Sequence, residues 1–471
     1  MNRTKIVATI GPASDNEKAI AGMIRAGANV FRFNMKHGTP EWHEERIQLV
    51  QKVANKMGVP VGILIDLQGP EIRIETADKK PLIVEEGEEI LLSSEFHKDQ
   101  KQIRVADQKV INALDEGDEV LIDDGFFEFD VTKKTKLGLI IKSRGNYAVS
   151  HRKGMNLPGI KLDLASLIDD DFKRLDMAAR QNIDFVALSF VRDAKDIQIL
   201  RQEMDKRKIS AHVVAKIENQ AALQNLDEII ETCDAVMIAR GDLGIEVPFE
   251  ELTYWQKTLI HRCRAAGKAV ITATQMLNSM EDSVRPTRAE VSDVANAVFD
   301  GTDAVMLSGE TANGKYPELA VATMRRIINF NEDKVEVPPV EHNDRLTQTE
   351  TITEAAVNIT LQDPDIAALV VFTETGTTAR MLSRYRPDVP IIAATQSTKV
   401  QEELCLSYGV SSVVMCFPNG EITSVDPLLD QLVNEGVVQP GQRVIFIHGE
   451  RWQEPGLTNT LKIREVKNNA K

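Results

Sequence analysis

Eight short apolar runs alternate with amphipathic helical stretches along the first two thirds of the chain, and this alternation restricts the fold more than any other feature. An apolar run followed by a helix and another apolar run is typical of parallel βα units. Eight such units over roughly 250 residues have the count and size of a (β/α)8 barrel. The runs that predict its strands are 4–10, 29–34, 59–65, 185–190, 213–217, 235–239, 269–273 and 304–307.

Helix boundaries inside this pattern follow from capping residues. Ser14 or Asp15 is predicted to cap the helix that follows the first run. A longer helix is predicted over residues 248–266, because Pro248 stands at its start and Gly267 follows its last residue.

The alternation stops between Glu71 and Lys153. Short β-branched runs replace it, and turn signals such as Asp124-Gly125 separate them. We therefore predict a small β-barrel domain inserted into a loop of the larger barrel.

A charged linker, Val335 to Asp344, precedes a second strand and helix rhythm that predicts a smaller open α/β sheet. The fold class is accordingly α/β. The predicted division gives residues 1–70 and 154–337 to the barrel, 71–153 to the inserted domain and 338–471 to the C-terminal domain.

The chain carries a formal net charge of -15, which argues against nucleic acid or an anionic membrane surface as its main partner. Its four cysteines show no Cys-x-x-Cys spacing, which favours free thiols in a reducing compartment. No apolar segment has the length of a membrane span, and the N-terminus offers no signal region. We expect a soluble cytoplasmic protein.

Charged and polar residues stand where the predicted barrel strands end, at the face of such barrels that carries active sites. Lys216 and Glu218 end one run and point the same way, since strand side chains alternate. Asp242 ends the next run between glycines that leave backbone N–H groups open. These groups indicate a divalent cation with an anionic substrate, and ordinary ion pairing is the alternative. The other polar residues at strand ends are Arg32, Asn34, Asp66, Ser189, Arg240, Thr274, Gln275, Ser308 and Glu310.

Three common catalytic signatures are missing from the sequence. It has no Gly-x-x-x-x-Gly-Lys-[Ser/Thr] loop, no Gly-x-Gly-x-x-Gly fingerprint and no Gly-x-Ser-x-Gly elbow. Nucleotide phosphates, if they bind, would therefore need other cationic side chains. The candidates are Arg32, Arg73 and Lys153. The alternative is that these three are solvated surface residues without a role in binding.

Five segments together resemble the pyruvate kinase family. They read VVAKIEN from Val213, ARGDLG from Ala239, TATQML from Thr272, RPTRAE from Arg285 and MLSGET from Met306. The resemblance covers nearly the whole chain, from TKIVATIGPAS near the N-terminus to TNT near the C-terminus.

The resemblance implies transfer of a phosphoryl group from phosphoenolpyruvate to ADP, giving ATP and pyruvate. It assigns Glu218 and Asp242 to Mg²⁺ or Mn²⁺, a hard cation that suits oxygen ligands. Lys216 would stabilise charge on the transferring group, because its transition state is loose and anionic. The substrate-side residues that it implies are Gly241, Asp242, Thr274, Ser189 and Arg32.

The same resemblance implies that Thr274 helps to protonate the enolate, through a water molecule held with Ser308 and Glu310. The nucleotide-side residues that it implies are Arg73, Lys153, Asn34 and His37. The inserted domain would close over the barrel mouth and exclude water that would otherwise capture the phosphoryl group.

The chain departs from the family at the K⁺ site, which is often built from an Asn, a Ser, an Asp and a Thr. Two of these oxygen ligands are missing here, and one is replaced by an ammonium. The matching positions are Asn34, Lys36, Asp66 and Leu67.

Neighbouring residues point both ways on K⁺. Leu67-Gln68 and Ile74 resemble the K⁺-independent branch, whereas Glu71 alone would predict dependence. We hypothesise that Lys36 places its ammonium in or near the cation site and compensates Asp66 and Glu71. A K⁺ ion beside a buried ammonium is repelled, so K⁺ is not required. The alternative is that Lys36 points outward and K⁺ still binds.

A threonine-rich turn in the C-terminal domain has the composition of a phosphate nest, where the family often binds a sugar-phosphate effector. Glu374 disfavours a bisphosphate there, which leaves a monophosphate, a nucleotide or no effector at all as the alternatives. The turn comprises Thr373, Thr375, Gly376, Thr377 and Thr378.

Two other functions were weighed against the kinase. A Mg²⁺-dependent barrel lyase or aldolase on pyruvate-like substrates would leave the inserted domain without a role. A non-catalytic homologue predicts a broken ring of catalytic residues, whereas Lys216, Glu218 and Asp242 are present. The family suggests a homotetramer.

Overall fold

The computed structural model describes residues 3–334, 337–340, 346–417, 420–422, 424–452 and 458–467. Most of the predicted linker, residues 335–336 and 341–344, lies outside them. Within the described part, no helix combines the length and the apolar composition that crossing a membrane requires.

The first barrel segment consists of three strands and two helices. The first helix begins after Asn16, whose side chain accepts a hydrogen bond from Ala19 N at 3.0 Å. The predicted caps Ser14 and Asp15 are therefore wrong, because the helix starts later than either residue allows. The elements are β1 (Lys5–Thr9), α1 (Glu17–Ala26), β2 (Val30–Asn34), α2 (Pro40–Met57) and β3 (Gly62–Asp66).

The inserted part forms a seven-stranded sheet with a two-stranded sheet, β5 and β11, beside it. A bridge between Arg73 and Gly154 brings the edges of the larger sheet together, so it is nearly closed. One short helix, which Asp107 caps, departs from the all-β prediction. The elements are β4 (Ile74–Thr76), β5 (Leu82–Val84), β6 (Glu89–Ser93), β7 (Gln102–Val105), α3 (Gln108–Ala113), β8 (Glu119–Ile122), β9 (Phe127–Lys134), β10 (Leu139–Ser143), β11 (Tyr147–Val149) and β12 (Met155–Asn156).

The second barrel segment restores the alternation of strands and helices. The helix predicted over residues 248–266 is divided into a 3-10 turn, Phe249–Glu251, and α9. The elements are α4 (Asp169–Ala178), β13 (Phe185–Leu188), α5 (Ala194–Lys206), β14 (His212–Ile217), α6 (Gln220–Gln224), α7 (Leu226–Thr232), β15 (Ala235–Ala239), α8 (Arg240–Glu246), α9 (Leu252–Ala265), β16 (Ala269–Ala273), α10 (Arg288–Phe299), β17 (Ala304–Leu307), α11 (Gly309–Ala312) and α12 (Pro317–Asn331).

The eight barrel strands close in the order β1-β17-β16-β15-β14-β13-β3-β2, and every pair is parallel. All their carboxyl ends therefore meet at one mouth. Apolar side chains fill the interior, among them Val7, Leu64 and Met237. The predicted α/β fold class, a (β/α)8 barrel with an inserted small barrel and a C-terminal sheet, is confirmed, whereas the residue boundaries of the domains stay predictions.

The C-terminal part is a five-stranded sheet in the order β20-β19-β18-β22-β24, flanked by helices. Its edge strand β24 runs antiparallel to β22 and was not predicted from the sequence. The elements are α13 (Gln348–Gln362), β18 (Ile366–Phe372), α14 (Thr377–Ser383), β19 (Ile391–Thr395), α15 (Thr398–Glu403), β20 (Val410–Val414), β21 (Gly420–Glu421), α16 (Asp426–Asn434), β22 (Arg443–His448), β23 (Arg451–Trp452) and β24 (Thr460–Glu465).

The C-terminal part is packed against the floor of the barrel, opposite the mouth. Cys405 and Leu406 belong to the same buried cluster as the barrel interior. Arg386 crosses the contact and donates to Asp303 Oδ2 at 2.7 Å and to Gly301 O at 2.8 Å. The apolar core and a buried ion pair therefore join the two parts.

Replacing Arg386 with Met should lower the free energy of unfolding by about 3–5 kcal/mol, because Asp303 would remain buried without its cation. The Arg386 and Asp303 side chains are only 2% and 5% exposed. Urea denaturation followed by circular dichroism measures the change.

The matched control is Arg262→Met, since Arg262 pairs with Asp227 at the surface, where the two side chains are 47% and 80% exposed. Its loss should stay below about 1 kcal/mol. Equal losses in the two variants would contradict the importance of the buried pair.

Candidate active site

The ammonium of Lys216 lies at the centre of the barrel mouth. Its Nζ is 2.8 Å from Glu218 Oε1 and 3.3 Å from Asp66 Oδ1, and it donates to Ser189 Oγ at 2.7 Å. Burial alone would lower the pKa of Lys216, but the carboxylates around it raise the pKa above its usual value. Lys216 therefore stays charged. The prediction that Lys216 and Glu218 point the same way is confirmed.

Arg32 and Lys216 share the carboxylate of Asp66. Arg32 Nε and Nη2 both lie 2.7 Å from Asp66 Oδ2, and its Nη1 donates to Thr9 Oγ1 at 3.1 Å. Asp66 is 1% exposed, and although burial favours its neutral form, Lys216 and Arg32 lower its pKa. Asp66 is thus compensated by these two cations, and no ion pair joins it to Lys36 among the described residues.

Glu218 directs one oxygen to a backbone amide and the other to the ammonium of Lys216. Its Oε2 accepts from Phe190 N at 2.7 Å, where Phe190 has a left-handed φ of 55°. Its Oε1 is buried and lies 2.8 Å from Lys216 Nζ. Burial raises the pKa of Glu218, although the attraction of Lys216 opposes this shift.

Asp242 lies in the first turn of α8, beside the same network. Burial raises its pKa, and the negative charge of Asp124 in the inserted part acts in the same direction, while Lys216 opposes them. No group of three or more His, Cys, Asp or Glu side chains surrounds a common point within the described ranges. Any cation at Glu218 and Asp242 would therefore take its other ligands from substrate or water.

Thr274 follows β16 in an unusual conformation. Its φ is 68°, and Gln275 follows with 54°, a region that β-branched residues such as Thr rarely adopt. Arg240, which is 7% exposed, donates to Ala273 O at 3.2 Å and pairs with Asp293 Oδ1 at 2.7 Å. Arg240 was predicted as one of the polar strand ends, in the segment ARGDLG, but was assigned no role in the site.

The amide of Gly241 donates to Thr274 Oγ1 at 2.9 Å, which joins two of the predicted substrate residues. A Cβ at position 241 would lie 3.6 Å from that oxygen, so the approach is close without excluding a larger residue. The hydroxyl of Thr274 is consequently fixed by a backbone donor of α8.

Glu310 holds backbone groups of two loops at the mouth. Its Oε1 accepts from Leu277 N at 3.0 Å and its Oε2 from Ser308 N at 2.7 Å. Burial raises its pKa, although these amides act against the shift. Both oxygens are engaged by backbone, so the geometry brings Glu310 to Ser308 and gives it no hydrogen bond to Thr274.

Lys36 lies at the rim of the mouth with its side chain 38% exposed. Its Nζ is 3.1 Å from Glu71 Oε1, and its backbone N donates to Asn34 Oδ1 at 3.2 Å. The partner Glu71 also accepts from Arg73 Nη2 at 2.8 Å. The predicted compensation of Glu71 is present, but the premise that Lys36 is buried is wrong, because the loop after β2 carries it towards solvent.

The predicted nucleotide-side residues surround this rim without forming one cluster. Lys153 Nζ pairs with Asp123 Oδ1 of the inserted part at 2.8 Å. Partial loss of hydration at the rim, together with the nearby charge of Lys36, lowers the pKa of His37. Arg73 also donates to the carbonyl of Arg152 at 2.7 Å, so it ties the two connections between barrel and insertion.

A cleft of about 940 Å³ opens between the barrel mouth and the inserted part. This size suits a small-molecule ligand. Its lining includes Arg32, Lys36, Asp66, Lys216, Glu218 and Asp242, together with Asn34, Leu67, Glu71 and Ser189.

The threonine-rich turn of the C-terminal part precedes α14. Gly376 N donates to Thr373 Oγ1 at 2.9 Å, and the hydroxyls of Thr375 and Thr377 lie 2.9 Å apart. Thr378 contacts Thr458 at 2.8 Å. Each of these hydroxyls therefore has a hydrogen-bond partner within the chain, and effector binding at this turn stays a prediction.

Comparison with known proteins agrees over nearly the whole chain. Residues 1–321 match the family described as "Pyruvate kinase, barrel domain", and residues 350–464 match "Pyruvate kinase, alpha/beta domain". A pyruvate kinase of Staphylococcus epidermidis is 40% identical over 99% of this chain and 81% of its own length. One from Geobacillus stearothermophilus is 40% identical over 98% and 80%.

A crystal structure of a pyruvate kinase from Cryptosporidium parvum superposes with a TM-score of 0.91 at 34% identity, covering 99% of this chain and 96% of that one. The barrel, the nearly closed insertion and the C-terminal sheet are thus shared with a solved relative. The chain belongs to the pyruvate kinase family and is a phosphotransferase.

Proposed function

We propose that the chain transfers the phosphoryl group of phosphoenolpyruvate to ADP in a Mg²⁺-dependent reaction, giving ATP and pyruvate, and that it does so without K⁺. The observation that carries the proposal is the network in which Lys216 faces Glu218 and Asp66 at the mouth of a barrel. The non-catalytic alternative predicts a broken network, and the lyase alternative leaves the cleft-forming insertion unused.

Lys216 acts on the transferring group through its charge. The pKa of this ammonium is raised by the carboxylates around it, so it remains protonated at neutral pH. The phosphoryl group carries its negative charge on peripheral oxygens during transfer, and a fixed cation in a partly dry cleft stabilises that charge. Arg32 of β2, held by Asp66 of the adjacent strand β3, presents a second fixed cation.

Glu218 and Asp242 would hold Mg²⁺ or Mn²⁺. Glu218 Oε1 is buried beside Lys216 Nζ at 2.8 Å and holds no backbone amide, and carboxylate oxygen is what these hard cations prefer. Two protein carboxylates leave room for substrate and water oxygens, as is usual for Mg²⁺. When bound, the cation would neutralise charge on the carboxylate and phosphate oxygens of the substrate.

The remaining substrate contacts come from the turn between β15 and α8 and from Thr274. The amides of Gly241 and Asp242 would receive the substrate carboxylate, and Ser189 would keep Lys216 oriented by its 2.7 Å hydrogen bond. Thr274, fixed by the Gly241 amide, would deliver a proton to the enolate through water near Ser308. Glu310 supports this step by holding Ser308 N.

ADP would enter from the rim of the cleft, where Arg73, Lys153, Asn34 and His37 surround its phosphates and base. The inserted part would close over it and exclude water. Because Arg73 and Lys153 lie at the two connections between barrel and insertion, nucleotide binding and closure would be coupled.

Lys36 would supply the positive charge that K⁺ supplies in many relatives. Its ammonium already pairs with Glu71 at 3.1 Å, and its loop lies beside Asn34, Asp66 and Leu67. Leu67 offers no side-chain oxygen, so the ligand set for K⁺ is incomplete. A second cation beside this ammonium would be repelled.

Replacing Lys216 with Met should reduce kcat by about 10²–10³-fold, because a fixed charge that stabilises the transferring group is lost. A coupled assay of ADP-dependent pyruvate formation measures the change. Lys173→Met is the matched control, since Lys173 pairs with Asp170 on an exposed helix face. An active Lys216→Met enzyme would refute the assigned role.

Turnover of the wild type in tetramethylammonium buffer should change less than about twofold on addition of K⁺. Lys36→Ser should lose about tenfold or more in kcat without K⁺, equivalent to ~1.4 kcal/mol, because the built-in cation is gone.

K⁺ should restore part of this loss, and more of it in Lys36→Ser with Leu67→Thr, which completes the oxygen ligands. Lys36→Arg keeps the charge and serves as the control. Strong activation of the wild type by K⁺ would reject the hypothesis that Lys36 replaces the ion.

We also propose a homotetramer, as the family suggests. Phe249, in the 3-10 turn before α9, and Tyr254, in α9, are 87% and 63% exposed and offer apolar area for contact. Light scattering should give four times the chain mass of 52.4 kDa, and a monomeric mass would contradict the proposal.

A further inference from the structure

Asp171 is a buried carboxylate that holds a distant loop through its backbone. It lies in the first turn of α4 and is 0% exposed. Its Oδ1 accepts from Gln68 N at 3.0 Å, and its Oδ2 accepts from Gly69 N at 3.2 Å and from Ile168 N at 3.1 Å. No cation forms an ion pair with it in the described part of the chain. Three backbone amides are therefore its partners.

Only one of these three amides belongs to the helix start. Ile168 N is the ordinary partner of an acidic residue in the first helical turn. Gln68 and Gly69 are more than a hundred residues away along the chain, in the loop of residues 67–71 that leads from β3 to the inserted part. A cap for α4 does not require them, so the contact serves the loop.

The loop of residues 67–71 reaches the centre of the site through one carbonyl. Leu67 O accepts from Ser189 Oγ at 2.7 Å, and Ser189 Oγ in turn accepts from Lys216 Nζ at 2.7 Å. The position of the loop therefore sets the orientation of the Ser189 hydroxyl, and that hydroxyl sets the direction of the ammonium.

The same loop ends at Glu71, which faces the rim of the cleft. Glu71 N donates to Gly69 O at 3.0 Å, and the Glu71 carboxylate pairs with Lys36 and Arg73. A shift of Gly69 is thus transmitted to both cations at the rim.

Close packing leaves the loop little freedom to shift without consequence. Gly69 has a left-handed φ of 69°, and a Cβ there would lie 3.1 Å from the Ser189 Cβ and from the Phe190 ring. The backbone of the loop therefore packs against Ser189, which accepts a hydrogen bond from Lys216, and against Phe190, whose amide donates to Glu218. Movements of a few tenths of an ångström would be felt by them.

We propose that Asp171 is a positioning residue for phosphoryl transfer, which holds the loop of residues 67–71 and so orients Lys216 through Ser189 and the rim cations through Glu71. The inference rests on the proposed kinase function. Asp171 does not touch the cleft centre itself, so its effect is exerted through backbone amides.

Asp171→Asn tests the proposal, because the amide nitrogen of Asn cannot accept a hydrogen bond and would face a backbone donor. We expect kcat to fall about 10- to 100-fold, as misplaced catalytic groups do, and the KM for ADP to rise more than the KM for phosphoenolpyruvate. Hydrogen exchange of the Gln68 and Gly69 amides should become faster. If Asp171→Asn does not fold, Asp171→Glu, which keeps the charge but displaces it, is measured in the same way.

Asp184→Asn is the matched control. Asp184 is also 0% exposed and also accepts a backbone amide of the β3 segment, Ile63 N at 2.7 Å, but at the floor of the barrel. We expect it to lose stability with unchanged kcat and KM values.

Asp171 variants that lose stability but keep wild-type kcat and KM values would overturn the inference, as would an equal loss of kcat in Asp184→Asn. A wild type that forms no pyruvate from phosphoenolpyruvate and ADP would instead refute the proposed function.

Discussion

The ammonium of Lys216 compensates the charge of the buried carboxylates at the barrel mouth, and the rest of the site depends on this compensation. Asp66 and Glu218 are 1% exposed, and buried carboxylates without a counter-charge would be neutral or would destabilise the fold. Lys216 faces both, and Arg32 completes the compensation at Asp66. Four strands, β2, β3, β13 and β14, thereby share one electrostatic network. The site and the local stability of the barrel have the same physical basis.

Buried charged side chains also hold unusual backbone conformations at the mouth. Thr274 and Phe190 both adopt left-handed φ values, which cost energy for residues with a Cβ. Each is held by a charged side chain: Arg240 donates to the carbonyls around Thr274, and Glu218 accepts the amide of Phe190. Buried ions thus maintain strained turns that present catalytic groups.

Periodicity made the strands and the polar mouth predictable from the sequence, because both depend on neighbouring residues. The eight strands and the common direction of Lys216 and Glu218 followed from local patterns. Contacts between distant segments did not. Arg32 of β2 pairs with Asp66 of β3, and both carboxylate oxygens of Glu310 accept hydrogen bonds from loop amides. The spacing of residues along the sequence does not predict either contact. The exposure of Lys36 likewise depends on how its loop leaves the barrel.

The two connections to the inserted part run side by side. Ile74 N donates to Lys153 O at 3.0 Å, Arg152 N donates to Ile74 O at 3.0 Å, and Met155 N donates to Ile72 O at 2.8 Å. Once folded, the insertion therefore presents two adjacent ends to the barrel, as a short turn would. Closing the long chain segment between β3 and α4 costs entropy, and folding of the insertion itself offsets this cost. Assembly of the eight-stranded sheet then depends on local closure, and the contact order of the barrel is effectively that of a chain without the insertion.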